Sequence, residues 1–274
     1  MTRPIIVGAV LYDPKVSVIW EIIRGFFESN QCPVDVVFYT NYELQVDGLI
    51  RGHIDIAWNS PLAWVDTVRR TGGRCRAIAM RDTDQDRASH FIARAQGGPA
   101  SLEDLRGKTL AVGAKDSPQA TLIPLGCMQR NGLEPGKDFI VRRFDLHVGK
   151  HGDHVGGENE AFQCLARREA AASTLLDLNW QRWTQDGTID PAEYRILATT
   201  ERFDHCVFTA REGLALDLER RWLEVLFSMS YDNPRHREMM DLEGLKAWKS
   251  GRTTGFGPLT EACRRQGYFG EARA

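Results

Sequence analysis

The sequence predicts an α/β fold in which two Rossmann-like lobes are joined by two crossing hinge strands. Strand patterns alternate with helix patterns along much of the chain, which is typical of a mostly parallel sheet covered by helices on both faces. A linker at Gly97-Gly98-Pro99 interrupts the alternation, and the same strand-then-helix order then begins again. The last part of the chain, from Leu216 onward, is mainly helical, and the apolar faces of these helices need a sheet to pack against. We therefore expect residues 1–93 and 207–274 to form lobe one, and residues 94–206 to form lobe two.

Three strand–helix pairs open the first lobe. The strands are short apolar runs, and the helices repeat apolar residues every three to four positions. The predicted strands are Ile5–Val10, Val34–Tyr39, Ile54–Trp58 and Arg74–Arg81. The predicted helices are Val16–Glu28, Tyr42–Arg51 and Pro61–Arg70. Gly52 follows the second helix, a position that glycine often takes just past a helix end.

The second lobe repeats this order after a capped single turn that Gly107 closes. Its predicted strands are Thr109–Gly113, Phe139–Phe144, Ala171–Leu176 and Arg195–Thr199. Its predicted helices are Pro118–Asn131 and Asn159–Arg168. The crossing segments are predicted near Phe91–Ala95 and Val207–Arg211, and three helices follow, at Leu216–Met229, Pro234–Met240 and Pro258–Gln266.

Composition excludes several classes of function. The chain has 274 residues, 42% hydrophobic and 26% charged, with a formal net charge of -2, so no global field attracts nucleic acid. No run approaches the roughly 18 apolar residues of a membrane span, and the first apolar run is too short for a signal peptide. We therefore expect no membrane insertion. The protein is cytoplasmic if the sequence is full length, and periplasmic or extracellular if a signal peptide was removed.

Polar residues stand at two predicted helix starts, one in each lobe. Asn59 and Ser60 follow a strand and precede a proline, and Ser117 and Gln119 occupy the same kind of place in the second lobe. Free N–H groups at a helix start favour an anion, and α/β folds bind ligands at the carboxyl ends of their strands. Tyr12, at the end of the first strand, is a candidate wall of the same site.

Several of these runs resemble the phosphate/phosphonate-binding branch of the type II periplasmic binding proteins, the substrate-binding proteins of ABC transporters. The matching first-lobe residues are Tyr42-Glu43-Leu44, Leu49, Gly52, Asp55-Ile56-Ala57-Trp58, Pro61-Leu62-Ala63 and Val65. The matching second-lobe runs are Ser101–Lys108 and Leu122-Ile123-Pro124. The resemblance implies a hinged receptor that closes its cleft on a small anionic or zwitterionic, phosphonate-like ligand, with an ABC permease as a possible partner.

The resemblance also implies which residues hold the anionic group. Hydroxyl and N–H groups at helix starts do so in the family, and the corresponding positions here are Asn59, Ser60, Ser117 and Gln119, with Tyr12 as an aromatic wall. The phosphonate binders carry a Ser/Thr-rich run where this chain has Asp116-Ser117-Pro118-Gln119.

A group of histidines and acids forms the second unusual feature. Three histidines fall within residues 147–154, and the predicted wall opposite the anion-binding residues comprises Asp153, His154, Glu158, Asp177 and His205. The carboxylates that could hold a cationic end of the ligand are Asp153, Glu158, Asp177 and Asp204. Two other interpretations stay open. The loop is a solvated turn, or His151, His154, His205 and Cys206 bind a transition metal such as zinc or copper. No cofactor is otherwise predicted.

An enzyme or a ligand sensor on the same fold is the alternative function. The menaquinone-pathway enzymes and the thiamin-pyrimidine synthases share this fold and are cytoplasmic. In such a role His205, flanked by Asp204, would be a general base and Cys206 a nucleophile. Neighbouring residues of a regular strand point to opposite faces, which argues against a dyad of His205 and Cys206. We therefore expect a receptor rather than an enzyme.

Overall fold

Two β-sheets organise the chain in a computed structural model, which describes residues 3–270. The strands are β1 Ile5–Val10, β2 Val34–Tyr39, β3 Ile56–Asn59, β4 Arg76–Arg81, β5 Ser89–Arg94, β6 Thr109–Val112, β7 Ile140–Arg143, β8 Ala172–Leu176, β9 Tyr194–Thr199, β10 Val207–Ala210 and β11 Trp248–Ser250. The α-helices are α1 Lys15–Ser29, α2 Tyr42–Ile50, α3 Pro61–Thr71, α4 Ile123–Arg130, α5 Gly156–Ala166, α6 Asp177–Gln185, α7 Leu216–Phe227, α8 Pro234–Glu243 and α9 Gly257–Gln266. Within this range no helix combines the length and the apolar character that crossing a membrane requires.

The first unit comprises residues 3–85 and 204–254 and carries a six-stranded sheet in the order β11-β4-β10-β3-β1-β2. Strands β2, β1 and β3 are parallel, whereas β10 runs antiparallel between β3 and β4. One face buries an aromatic core in which Trp20, Trp58 and Trp222 surround Phe208. These rings supply the large buried apolar area that holds α1 and α7 to the sheet.

The second unit comprises residues 86–203 and 255–270 and carries a five-stranded sheet in the order β7-β6-β8-β5-β9. Strands β7, β6 and β8 are parallel, whereas β5 pairs antiparallel with both β8 and β9. Phe91 and Leu110 lie in a core on one face, and Phe162 and Leu175 lie in a second core. The sheet is therefore apolar on both faces, as a strand set covered by helices requires.

The predicted lobe boundaries, 1–93 with 207–274 and 94–206, differ from these two units. The strand near Phe91–Ala95 is not a crossing segment, because β5 lies inside the second sheet. Helix α9 packs on α4 in the second unit, so the chain passes between the units three times rather than twice, after Gln85, Phe203 and Thr254. The apolar face of a helix indicates that it covers a sheet, but it does not indicate which of two sheets it covers.

Candidate functional site

The carboxyl ends of β2, β1 and β3 share one edge of the first sheet because these strands are parallel. Helices α2 and α3 begin at this edge. The Asn41 side chain accepts a hydrogen bond from the Leu44 N–H at 2.8 Å, and the Ser60 hydroxyl accepts one from the Ala63 N–H at 3.2 Å. Ser60 is fully buried, and its hydrogen bond makes it the N-cap of α3. Tyr12 lies just after β1, half-buried against the aromatic core.

Asn59, a predicted ligand residue, lies in a buried polar network. Its amide oxygen accepts from Gln45 Nε2 at 2.9 Å, and its Nδ2 donates to the Thr209 hydroxyl at 3.0 Å. A longer contact of 3.5 Å joins Nδ2 to the Thr67 hydroxyl. Asn59 is 0% exposed, and its amide joins β3, α2, α3 and β10. These contacts account for the residue as part of the scaffold without any ligand.

A π-helical turn at Pro118–Leu122 precedes α4 at the corresponding edge of the second sheet. Ser117 caps it by accepting a hydrogen bond from the Ala120 N–H at 3.1 Å. Two strand hydroxyls bind the carbonyls of the turn. The Ser89 hydroxyl donates to the Gln119 carbonyl at 2.5 Å, and the Thr174 hydroxyl donates to the Ala120 carbonyl at 2.6 Å. The turn that carries Gln119 is therefore fixed to both β5 and β8.

Glu158 is a buried carboxylate in the first turn of α5, only 2% exposed. It accepts hydrogen bonds from the Leu176 N–H at 3.0 Å, from Asn179 Nδ2 at 2.8 Å and from Gln119 Nε2 at 3.3 Å. Gln119 Nε2 also donates to the Gly152 carbonyl at 3.0 Å. Two of the predicted site residues, Gln119 and Glu158, are thus brought into direct contact.

Asp116 is the site residue that the sequence reasoning did not select. Its Oδ2 accepts from the Gly149 N–H at 2.5 Å and from the His151 N–H at 3.4 Å. Both donors lie in a loop with positive φ angles, +90° at Gly149 and +50° at His151, and both of their N–H groups point to Asp116. Its only sequence signal was its place beside Ser117.

Two buried oxygens at this edge that can only accept hydrogen bonds have no partner among residues 3–270. They are Asp116 Oδ1 and Gln119 Oε1, and both residues are at most 2% exposed. Leaving a buried acceptor unpaired costs about 1–3 kcal/mol. The edge therefore offers two fixed acceptors to a group that donates hydrogen bonds.

The other predicted residues of the second unit lie around the same loops. His154 Nδ1 accepts from the Gly156 N–H at 3.2 Å, and its ring packs on His147 with centroids 4.0 Å apart. Asp177 begins α6 and lies 3.6 Å from Arg87. Asp153 is half-buried in the loop before α5.

His205 belongs to the first unit, where it lies beside Cys206 and Asp84. His205 Nδ1 is 3.1 Å from Cys206 Sγ and 3.6 Å from Asp84 Oδ1. The expectation that neighbouring side chains diverge was made for a regular strand and does not apply to these two residues, because β10 begins only at Val207. The same ring nitrogen meets both partners, so the group is not a relay in which a carboxylate orients one nitrogen and a nucleophile uses the other.

Asp84 is bound mainly by an arginine. Arg81 donates to both of its carboxylate oxygens, at 2.7 and 2.8 Å. Burial raises the pKa of Asp84, but the charge and hydrogen bonds of Arg81, with a smaller contribution from His205, lower it to about 2. Asp204, the predicted flank of His205, instead pairs with Arg252 at 2.6 Å.

The four residues of the predicted metal site belong to two different units. His151 and His154 lie in the second unit, whereas His205 and Cys206 lie in the first. Asp84, His205 and Cys206 place three donor atoms within 4.8 Å of one another. The arginine that holds the Asp84 carboxylate occupies both of its oxygens and would repel a cation. The donor set of this group therefore fits an ion pair better than a metal.

Comparisons with known proteins agree with this architecture. A model of the family described as ABC transporter, phosphonate, periplasmic substrate-binding protein matches residues 27–262. PhnD1 from Prochlorococcus marinus, solved in complex with methylphosphonate, has a TM-score of 0.71 at 15% identity, over 96% of this chain and 97% of that one. The aliphatic sulphonate binding protein SsuA from Escherichia coli has a TM-score of 0.61 at 11% identity, over 98% and 88%.

A sequence relative covers a shorter part of the chain. An uncharacterized protein from Haemophilus influenzae is 48% identical over 50 residues, which are 18% of this chain and 70% of that protein. The solved structures establish the fold, the type II periplasmic binding protein fold that the sequence predicted, and the family model extends over most of the chain. The chain therefore belongs to the family of phosphonate periplasmic substrate-binding proteins of ABC transporters.

Proposed function

We propose that this protein captures a small zwitterionic, phosphonate-like solute and delivers it to an ABC permease from the periplasmic or extracellular side. Membership of the substrate-binding family supports the receptor role. The observation that carries the ligand class is the pair of unpartnered buried acceptors, Asp116 Oδ1 and Gln119 Oε1. Both atoms can accept a hydrogen bond from a donor group on the ligand, such as an ammonium.

Electrostatics favours a zwitterion over a plain dianion at this edge. The buried carboxylates of Asp116 and Glu158 would repel a phosphonate placed against them, since charges interact strongly where water is excluded. An ammonium against Asp116 would offset that repulsion and donate hydrogen bonds to both unpartnered acceptors, Asp116 Oδ1 and Gln119 Oε1. The anionic end then lies at the start of the π-helical turn, where Ser117 is the candidate hydroxyl.

Calorimetry with two probes that differ by one amino group tests this proposal. We expect aminomethylphosphonate to bind the protein at least about tenfold more tightly than methylphosphonate, because one satisfied charge-assisted contact is worth roughly 1.5–3 kcal/mol. The variants Asp116→Asn and Gln119→Leu should abolish that preference. Gln129→Leu is the matched control, since it removes an amide with a buried, unpartnered oxygen from the far end of α4.

Two results would count against the proposal. Equal affinity for both probes would remove the ammonium from the ligand class while leaving the receptor role intact. A preference that survives in both variants would move the contact away from Asp116 and Gln119.

A further inference from the structure

A hollow of about 560 Å³ lies in the second unit, at the end of the sheet where β6 and β8 begin. This is the opposite end of these strands from Ser117 and Glu158, so the hollow is distinct from the candidate ligand site. Lys108 precedes β6, Arg168 and Ala171 precede β8, and Arg94 ends the antiparallel β5.

The charges around the hollow are unbalanced. Arg94, Lys108 and Arg168 line it together with one carboxylate, that of Glu193. Among residues 3–270 none of these three cations lies within 4.0 Å of a carboxylate oxygen, whereas their neighbour Arg167 pairs with Glu169 at 2.9 Å.

A second hollow, in the first unit, has lining arginines that are mostly paired with carboxylates. It has about 380 Å³ and is also lined by arginines. There Arg70 pairs with Asp47 at 2.6 Å, and Arg74 pairs with Glu212 at 2.9 Å. Arginine content alone therefore does not distinguish the two hollows. Among residues 3–270, Arg51 is the one arginine of the first-unit hollow with no carboxylate oxygen within 4.0 Å, whereas all three cations of the second-unit hollow lack one.

The Arg94 guanidinium is held in a fixed position. Its Nη2 donates to the Ala166 carbonyl at 2.5 Å and more weakly to the Leu165 carbonyl at 3.4 Å, at the end of α5. Its centre lies 5.4 Å from the Tyr194 ring centroid. Its Nε is buried and has no partner among the described residues. Preorganised donors of this kind lose little freedom when they bind an anion.

The backbone around the hollow is specialised as well. Arg168 adopts a φ of +64°, which is uncommon for a residue other than glycine. Gly98 approaches Arg94 so closely that a Cβ would lie within hard contact of the Arg94 carbonyl oxygen, so only glycine fits there. Ala170 and Ala171 contribute small side chains that leave the hollow open.

We propose that this hollow is a second anion-binding site, which takes a compact oxyanion with two or more negative charges, such as a diphosphate. Lys108 and Arg168 supply the charges, and the fixed Arg94 supplies a directed guanidinium. Three cations facing one carboxylate leave two positive charges, so an anion with at least two negative charges is favoured over a monoanion. The site lies beyond the proposed receptor function and does not depend on it.

An NMR titration of the isotope-labelled protein with inorganic pyrophosphate locates the binding. We expect the amide signals of Gly97, Gly98 and Ala171 to shift along one saturable curve. The variants Lys108→Met and Arg168→Asn should each weaken that curve by about tenfold, because each removes one ion contact. Asparagine tolerates the left-handed conformation at residue 168, so the fold is kept. Arg167→Asn is the matched control and should leave the affinity unchanged.

Three outcomes would overturn the proposal. The first is that the amide signals of Gly97, Gly98 and Ala171 do not shift with pyrophosphate. The second is that these signals shift equally in the Arg168→Asn and Arg167→Asn proteins. The third is that the saturable shifts are confined to Gly152 and its neighbours, which would place the anion at the candidate ligand site instead.

Discussion

Replacing Asn59 by alanine separates scaffold residues from ligand residues in the first unit. The resemblance to the family places Asn59 on the anionic group of a ligand, whereas the structure uses its whole amide to join Gln45 and Thr209. We expect Asn59→Ala to destabilise the protein strongly. Any effect on ligand affinity should vanish where the variant is fully folded.

The magnitude follows from the lost contacts. Two good hydrogen bonds, at 2.9 and 3.0 Å, disappear in a fully buried place. Each contributes about 1 kcal/mol, and each buried group left unpaired costs about 1–3 kcal/mol. Gln45 Nε2 keeps its bond to the Trp58 carbonyl at 2.8 Å, which limits the loss. The expected decrease in the free energy of unfolding is about 2–4 kcal/mol.

Urea unfolding followed by tryptophan fluorescence measures this decrease, because Trp58 lies next to the network and in the aromatic core. Asn41→Ala is the matched control. Asn41 makes one capping bond at the edge of α2 and should cost about 1 kcal/mol. A decrease below that of the control, together with loss of ligand binding by folded Asn59→Ala protein, would refute the scaffold role.

Two further predictions concern packing and pH. A Cβ at Gly126 would lie 2.8 Å from the Ala262 Cβ, whereas one at Gly25 would meet nothing within 4 Å. Gly126→Ala should therefore lower the free energy of unfolding by about 1–2 kcal/mol, and Gly25→Ala should raise it by about 0.5–1 kcal/mol, in urea titrations. The pKa of Asp84 is lowered to about 2, so its stabilisation is present above its ordinary pKa and is lost as the pH falls. Acid titration should show a loss of about 2 kcal/mol between about pH 4 and pH 2 that is missing in Asp84→Asn, and identical curves would contradict the ion pair with Arg81.

Local sequence signals were sufficient for most of the architecture. The apolar run Ile5–Val10 and the Val34–Tyr39 run both form strands at the predicted residues, and Ser60 caps a helix as its place before a proline indicated. Period-two and period-3.6 patterns report burial directly, so they predict element type well. Helix α6 and strand β11 were not predicted. The short β11 has only one buried residue and therefore carries little pattern.

Long-range pairing was the part that the sequence did not reveal. Nothing local to Phe91 shows that its strand lies between β8 and β9 rather than at a hinge. Likewise Asn59 and Ser117 look alike in sequence, since each stands where a strand gives way to a helix. Only the tertiary partners distinguish them, because Thr209 is 150 positions from Asn59 and completes its network.

Native mass spectrometry of the freshly purified protein tests the receptor account most directly. We predict one non-covalently bound organic molecule of low mass per chain, containing phosphorus and an amine, which is lost on denaturation and is absent from the Asp116→Asn protein. A stoichiometric transition metal in place of an organic ligand would contradict the account. So would a protein that carries nothing and, in calorimetry, binds neither aminomethylphosphonate nor methylphosphonate.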